Sequence, residues 1–362
     1  MPDGSSRVRE AGELADLTMY GVTGFTGKLG ARAAQRLGLS MVLAGRNEGS
    51  LQRLAEEFDG EYPIAVARHD DPEALAGAVR RGRALVSTAG PFGEVGALPV
   101  AAAVAAGRHY FDSTGEVDFM RQTYRRHDRA AREQEIVVMN ACAFEYVIGD
   151  CLIEIALQQH PDASRLRVSY WMPDKTATRG TAKSALRIMA GAAGRAVPAR
   201  GHKVRFPDVG EKWAVTYAGG ETEFLRRRHP EVEVTTLMDM PPAVARTSRA
   251  LPGVLSVAGL APVQAILDRA ISRLPEGPGA EQRQAQEWMI LVEVDPDDGA
   301  QRGVYGRGVD PYGITGEILA RVAGRVLRGE HRATGVVTPA QAFEPEELLA
   351  SLADLGVAWH RI

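Results

Sequence analysis

One segment constrains the fold of this chain more than any other. Gly21-Val22-Thr23-Gly24-Phe25-Thr26-Gly27 joins an apolar run, Leu17 to Val22, to an amphipathic stretch, Lys28 to Leu37. A strand that ends in glycines and passes at once into a helix makes a tight βα turn. Its backbone can approach a pyrophosphate, whose charge then rests on the helix N-terminus. Glycine turns also close ordinary βα units, but a strand before and a helix after favour the nucleotide reading.

The alternation continues along the first half. Extended runs at Met41 to Ala44, Ile64 to Ala67, Ala84 to Thr88, Tyr110 to Asp112 and Ile136 to Met139 alternate with helical patterns such as Leu51 to Phe58, Glu73 to Val79 and Leu98 to Ala106. Strands spaced in this way imply right-handed crossovers and a parallel sheet covered on both faces, an α/β Rossmann-type doubly wound domain. The second half carries longer extended runs, at Leu166 to Met172, Trp213 to Tyr217, Trp288 to Val294 and Gln301 to Val309. Helical patterns cover Val147 to Gln158, Thr181 to Ala193, Val263 to Leu274, Tyr312 to Leu327 and Glu346 to Leu355. These predict a second α+β domain with a mixed or antiparallel sheet. The expected division is 1–142 for the NAD(P)-binding domain, 143–330 for the substrate domain, and 331–362 for a C-terminal segment packing back on the first.

Composition narrows the function classes. The chain has 362 residues, 45% hydrophobic and 25% charged, which suits two folded domains. Its 43 basic and 46 acidic residues give a formal charge of −3, so no global field attracts nucleic acid. Two cysteines, Cys142 and Cys151, are too few for a disulfide framework, and the eight histidines lack ligand spacing, so no metal is expected. Met1 to Asp16 lacks the apolar run of a secretory signal, and Leu251 to Leu267 is short and interrupted by Pro252 and Pro262. A cytoplasmic protein without a membrane span is expected.

The cofactor is read from the ends of the strands. Gly21, Thr23, Gly24, Phe25, Thr26 and Gly27 form the expected pyrophosphate turn. About 20 residues further on, where an acid would mark NAD, the chain reads Ala44-Gly45-Arg46-Asn47. Arg46 suits a 2′-phosphate, so NADPH is the expected cofactor, with Asn47 beside it. Asp70, in His69-Asp70-Asp71, is placed at the adenine border, although this segment also reads as a helix N-cap ahead of Pro72. Thr88, Ala89, Gly90 and Pro91 are small enough to lie beside a nicotinamide. The chain has no Tyr-x-x-x-Lys, Gly-x-Ser-x-Gly or His-Glu-x-x-His, which argues against short-chain dehydrogenases, elbow-type serine hydrolases and zinc proteases.

Six segments together resemble the saccharopine dehydrogenase-like oxidoreductases, the group that includes the trans-acting enoyl reductases. They are Tyr20 to Gly27, Ala44 to Asn47, Ser87 to Phe92, Tyr110 to Glu116, Arg179-Gly-Thr-Ala182 and Asp310 to Thr315, in an order that fits from about Leu17 to Phe343. The resemblance implies an NAD(P) domain, an inserted substrate domain, and hydride transfer to a C=N or activated C=C bond. The chain departs from the pattern Gly-Phe-Asp-x-x-Pro-x-Asp, reading Ala143-Phe-Glu-Tyr-Val-Ile-Gly-Asp150.

Hydride addition needs a neighbouring group to polarise the acceptor or supply a proton. Tyr146 is the expected polarising hydroxyl, and Glu145 or Glu116 the proton source or substrate anchor; capping or core roles suit all three equally. Lys183 reads as a surface lysine and Arg226 to His229 as a solvated loop. Leu251 to Arg273 suits a core helix, a cover over the substrate, or a homodimer contact through Leu255 and Leu260. Two functions follow. The first is an NADPH-dependent enoyl or imine reductase acting on a small or carrier-bound substrate; the second is an NADPH-binding sensor without turnover.

Overall fold

The computed structural model describes residues 14–58, 62–192, 200–248, 261–273, 275–296 and 301–362. Leu255 and Leu260, on which the dimer reading of Leu251 to Arg273 rested, lie outside the described residues. The helix Ala261–Ser272 lies within them.

The first sheet grows from short apolar runs: β1 (Ala15–Tyr20), β2 (Met41–Gly45), β3 (Ile64–Val66), β4 (Gly82–Ser87), β5 (His109–Asp112) and β6 (Val137–Met139). Between them stand α1 (Phe25–Arg36), α2 (Glu48–Glu56), α3 (Pro72–Val79), the short α4 (Phe92–Val95), α5 (Ala97–Ala105) and α6 (Val117–Glu133). All strands pair in parallel in the order β3-β2-β1-β4-β5-β6, and Gly335–Val336 adds a seventh, β13, beside β6. Strands β2 and β6 are buried throughout, as a parallel sheet covered on both faces requires. The order of winding reverses at β1 and β4, which run parallel with Tyr20 beside Ser87. The ends of those two strands form the crevice in which such sheets bind ligands.

Helix α7 (Phe144–Gln159) leads into the second sheet, made of β7 (Arg165–Trp171), β8 (Gly201–Phe206), β9 (Gly210–Thr216), β10 (Glu233–Asp239), β11 (Glu287–Val294), β12 (Gly303–Val309) and β14 (Ala358–Arg361). It is mixed: β7 and β10 are parallel and the other pairs antiparallel. Around it lie α8 (Arg179–Ala192), α9 (Glu221–Arg228) and α10 (Pro242–Thr247). One continuous apolar core runs from Leu17, Met19 and Val86 of the first sheet through Val147, Ile148 and Leu152 of α7 to Ile290 and Val292 of the second.

The helix Pro311–Leu327 lies along α1. A Cβ at Gly316 would come within 2.8 Å of the Leu29 backbone, so the glycine permits the close approach of the two helices. Beyond it the chain divides its contacts, with Gly335–Val336 joining the first sheet and Ala358–Arg361 the second.

Arg226 to Arg228 are the last turn of α9 and not a solvated loop. Arg228 has only 9% of its side chain exposed and grips the fully buried Asp150 of α7 through two bonds of 3.0 and 2.7 Å. Asp150 also accepts from the Ala340 N–H at 2.8 Å, and Arg228 donates to Thr338. A charged run in sequence becomes an internal clamp because its acid partner is supplied from 78 residues away.

Candidate active site

The glycine turn separates three requirements. Gly21 has φ of +76° and sits so close to β4 that a Cβ would meet Ala89 N at 2.7 Å. A Cβ on Gly27 would meet the Gly21 carbonyl oxygen at 2.6 Å and the Thr88 hydroxyl at 2.8 Å, so its absence lets helix pack against strand. At Gly24 a Cβ would meet only the Gly21 oxygen, at 3.3 Å. Gly24 is also the N-cap of α1, with no side-chain cap and no acid in the first turn. Helix N–H groups and the dipole are therefore left for an external anion over an open glycine, an arrangement that fits a pyrophosphate. Thr88 binds the turn to β4, its hydroxyl donating to the carbonyls of Gly21 at 3.1 Å and Tyr20 at 3.3 Å.

Arg46 is exposed at the end of β2 and makes no ion pair or side-chain hydrogen bond among the described residues, so it is free to take a phosphate. Asn47 serves as the N-cap of α2, accepting from Ser50 N at 2.8 Å. Asp70 is exposed and engaged by Arg68 through two bonds of 3.0 and 3.1 Å, which holds its carboxyl below the usual range. The N-cap ahead of Pro72 is its neighbour Asp71.

Glu116 precedes α6 without capping it. Its carboxylate reaches back to α4, accepting from Phe92 N at 2.8 Å and Gly93 N at 2.9 Å, and takes a third bond from Ser184 of α8 at 3.1 Å. The other flank of α8 is tied to Tyr312, which accepts from Thr178 N at 3.1 Å and donates to Thr181 at 3.3 Å. The Tyr312 ring stands edge-on to Phe25, 5.6 Å away. The start of α8 thus bridges the glycine turn and the loop after β4. Lys183, half-buried on this helix, has no ion pair among the described residues.

The segment joining the domains is fixed by Asp112, at the end of β5. Burial pushes its carboxyl up to about 6 even though it accepts from Thr114 N, Ala141 N and the Asn140 amide. These bonds hold the chain as it leaves β6 and deliver Phe144, Glu145 and Tyr146 as the first turn of α7.

The structure separates these last three. Phe144 packs on Trp288, and Tyr146 is 5% exposed in an apolar cluster with Met120 and Phe224, its ring against Gly220. Packing accounts for Tyr146. Glu145 is half-buried, has no cationic partner among the described residues, and its carboxyl is pushed up to about 7 by burial. Its charge is felt by Tyr312 on one side and by Tyr217 on the other.

Behind Glu145 lies a group that sequence reasoning missed. Glu221, at the start of α9, is fully buried and pushed up to about 8 by burial, with Asp150 and Glu145 adding to the shift. The Tyr170 hydroxyl bonds one of its oxygens, and the other has no hydrogen-bond partner. Tyr170 packs edge-on to Tyr217 at 6.1 Å. The group therefore gathers two carboxyls that hold protons near neutrality with Tyr170, Tyr217 and Tyr312, of which Tyr312 also reaches Phe25 of the glycine turn.

Comparison with known proteins agrees with this geometry. Residues 17–139, which span β1 to β6, match the family described as saccharopine dehydrogenase NADP binding domain, in agreement with the NADPH expected from Arg46. The trans-acting enoyl reductase of Mycobacterium leprae is 32% identical over 143 residues, covering 37% of this chain and 34% of that protein. That of Mycobacterium ulcerans is 31% identical over 140 residues, again 37% of this chain and 34% of that protein. The chain spans about a third of the length of these curated relatives. Saccharopine dehydrogenase (L-Glu forming) from Saccharomyces cerevisiae shares the fold, with a TM-score of 0.61 and 13% identity over 96% of this chain and 100% of that one. The resemblance is borne out over four of the six segments, Tyr20 to Gly27, Ala44 to Asn47, Ser87 to Phe92 and Tyr110 to Glu116, while Arg179 to Ala182 and Asp310 to Thr315 lie outside the matched residues.

Proposed function

We propose that this protein is an NADPH-dependent reductase of an activated C=C bond in an acyl thioester, free or carrier-bound, with Glu145 as the proton source. When bound, NADPH supplies the hydride. Addition to the β-carbon of an enoyl group leaves an enolate, which must gain a proton at the α-carbon. A carboxyl pushed up to about 7 is protonated often enough at neutral pH to provide it, and solvent then restores the proton. Glu145 is the observation that carries this reading. The start of α8, fastened to Tyr312 and Glu116, shields the reacting atoms from water.

The names of the mycobacterial relatives support C=C over C=N. The test is the absorbance loss of NADPH against a panel of enoyl thioesters and cyclic imines. Enoyl turnover is expected, with Glu145→Gln lowering kcat by about 10²-fold or more at constant NADPH affinity. Oxidation by imines alone would overturn the substrate class, and binding of NADPH without oxidation by either would leave the sensor reading.

A further inference from the structure

The Tyr170 hydroxyl stands between two glutamates. It bonds the Glu221 carboxyl and also lies 3.5 Å from the backbone carbonyl of Glu145, in the first turn of α7. Glu221 is fully buried, with no cation among its hydrogen-bond partners and one oxygen unpartnered. A buried carboxyl without a counter-charge is costly to ionise. Its retention in a core calls for a role beyond packing.

We infer that Tyr170 and Glu221 position Glu145 for proton delivery: neutral Glu221 lends its proton to the Tyr170 oxygen, which leaves the tyrosine O–H free to hold the Glu145 carbonyl. This inference rests on the reading of Glu145 given above. Ionised Glu221 instead accepts the tyrosine proton, so the tether to α7 is lost and a second negative charge faces Glu145. Proton delivery is then fastest with both carboxyls protonated. Among the described residues, the groups facing Glu221 are Glu145, Tyr146 and Asp150 of α7 and Tyr170 of β7, while Tyr217 after β9 and Tyr312 face Glu145; Asp150 is already paired with Arg228.

The experiment is the pH profile of kcat in wild type, Glu221→Gln, Tyr170→Phe and Glu145→Gln, each checked for folding by its melting curve. Wild type should fall on the alkaline side with a log-log slope steeper than −1 where both carboxyls titrate, and Glu221→Gln, which keeps a bonding side chain that does not titrate, with about −1. Tyr170→Phe should lower the acid-side plateau by about tenfold while KM for NADPH stays put. A slope of about −1 in wild type that Glu221→Gln leaves unaltered would overturn the inference. Full activity in Glu145→Gln would instead overturn the proton-source assignment, whatever the slopes.

Discussion

Three carboxyls, Asp112, Glu145 and Glu221, are displaced by burial to about 6, 7 and 8 from ordinary values of 3.8, 4.5 and 4.5. Each binds its proton more tightly in the folded state. The stability this gives is fully present below the unfolded values and is lost as pH rises through the folded ones. The melting temperature should therefore fall between pH about 4 and about 8, and fall less steeply in Glu221→Gln; a flat profile would show these carboxyls to be solvated. Arg46 gives the second residue-scale prediction. A charge-assisted bond to the 2′-phosphate contributes about 1.5 to 3 kcal/mol, so NADPH should bind at least about tenfold more tightly than NADH, and Arg46→Ala should remove the preference. Titration of both nucleotides checks it. Arg46 was legible because its role follows from a fixed place after the second strand. Glu221 was not, because its partner Tyr170 lies 51 residues away and its own segment, Glu-Thr-Glu-Phe-Leu-Arg-Arg-Arg, has the composition of a surface helix.

Among the elements, the glycine turn allows folding and binding to be tested apart. Gly21→Ala places a Cβ on the Ala89 backbone at a positive φ, so it should destabilise the fold by about 1 to 3 kcal/mol. Gly24→Ala meets only one oxygen at 3.3 Å, and should weaken NADPH binding while costing the fold about 1 kcal/mol or less. Denaturant melts alongside NADPH titration distinguish the two, and equal effects on both readouts would refute the division of labour. Elements with a strong local period were legible, including six strands of the first sheet and helices α1, α7 and α8. Four strands were not. In β8 only Val204 and Phe206 are buried, between Lys203 and Arg205, and in β10 the run Glu-Val-Thr-Thr precedes the buried Leu237. Strands β13 and β14 are two and four residues long and exist through pairing with β6 and β12. Strands β8, β13 and β14 are edge strands among the described residues, and carry little apolar pattern because only one side of each is paired, whereas β10 lies inside its sheet between β7 and β9.

At the scale of the whole molecule, the core that passes from Leu17 through α7 to Ile290 makes the two sheets one packed unit, and the C-terminal chain fastens that unit twice. Such long-range closure leaves no period in a sequence, which is why two sheets were legible but the divided path of residues 331–362 was not. The clamp of Asp150, Arg228, Thr338 and Ala340 joins α7, α9 and the chain after β13. Buried pairs contribute little net stability over an apolar substitute, because both charges lose their water, but breaking one leaves an uncompensated charge in the core. Arg228→Ala strands the fully buried Asp150 carboxylate with little beyond the Ala340 N–H, and should cost about 3 to 5 kcal/mol. Asp150→Ala leaves Arg228 the neighbouring Glu154, 3.3 Å away, and should cost less. The double variant should cost less than the sum of the two, because the interaction is removed only once. Urea denaturation of the four proteins closes the cycle, and strict additivity would mean that the pair is solvated and the C-terminal chain is held by apolar packing alone.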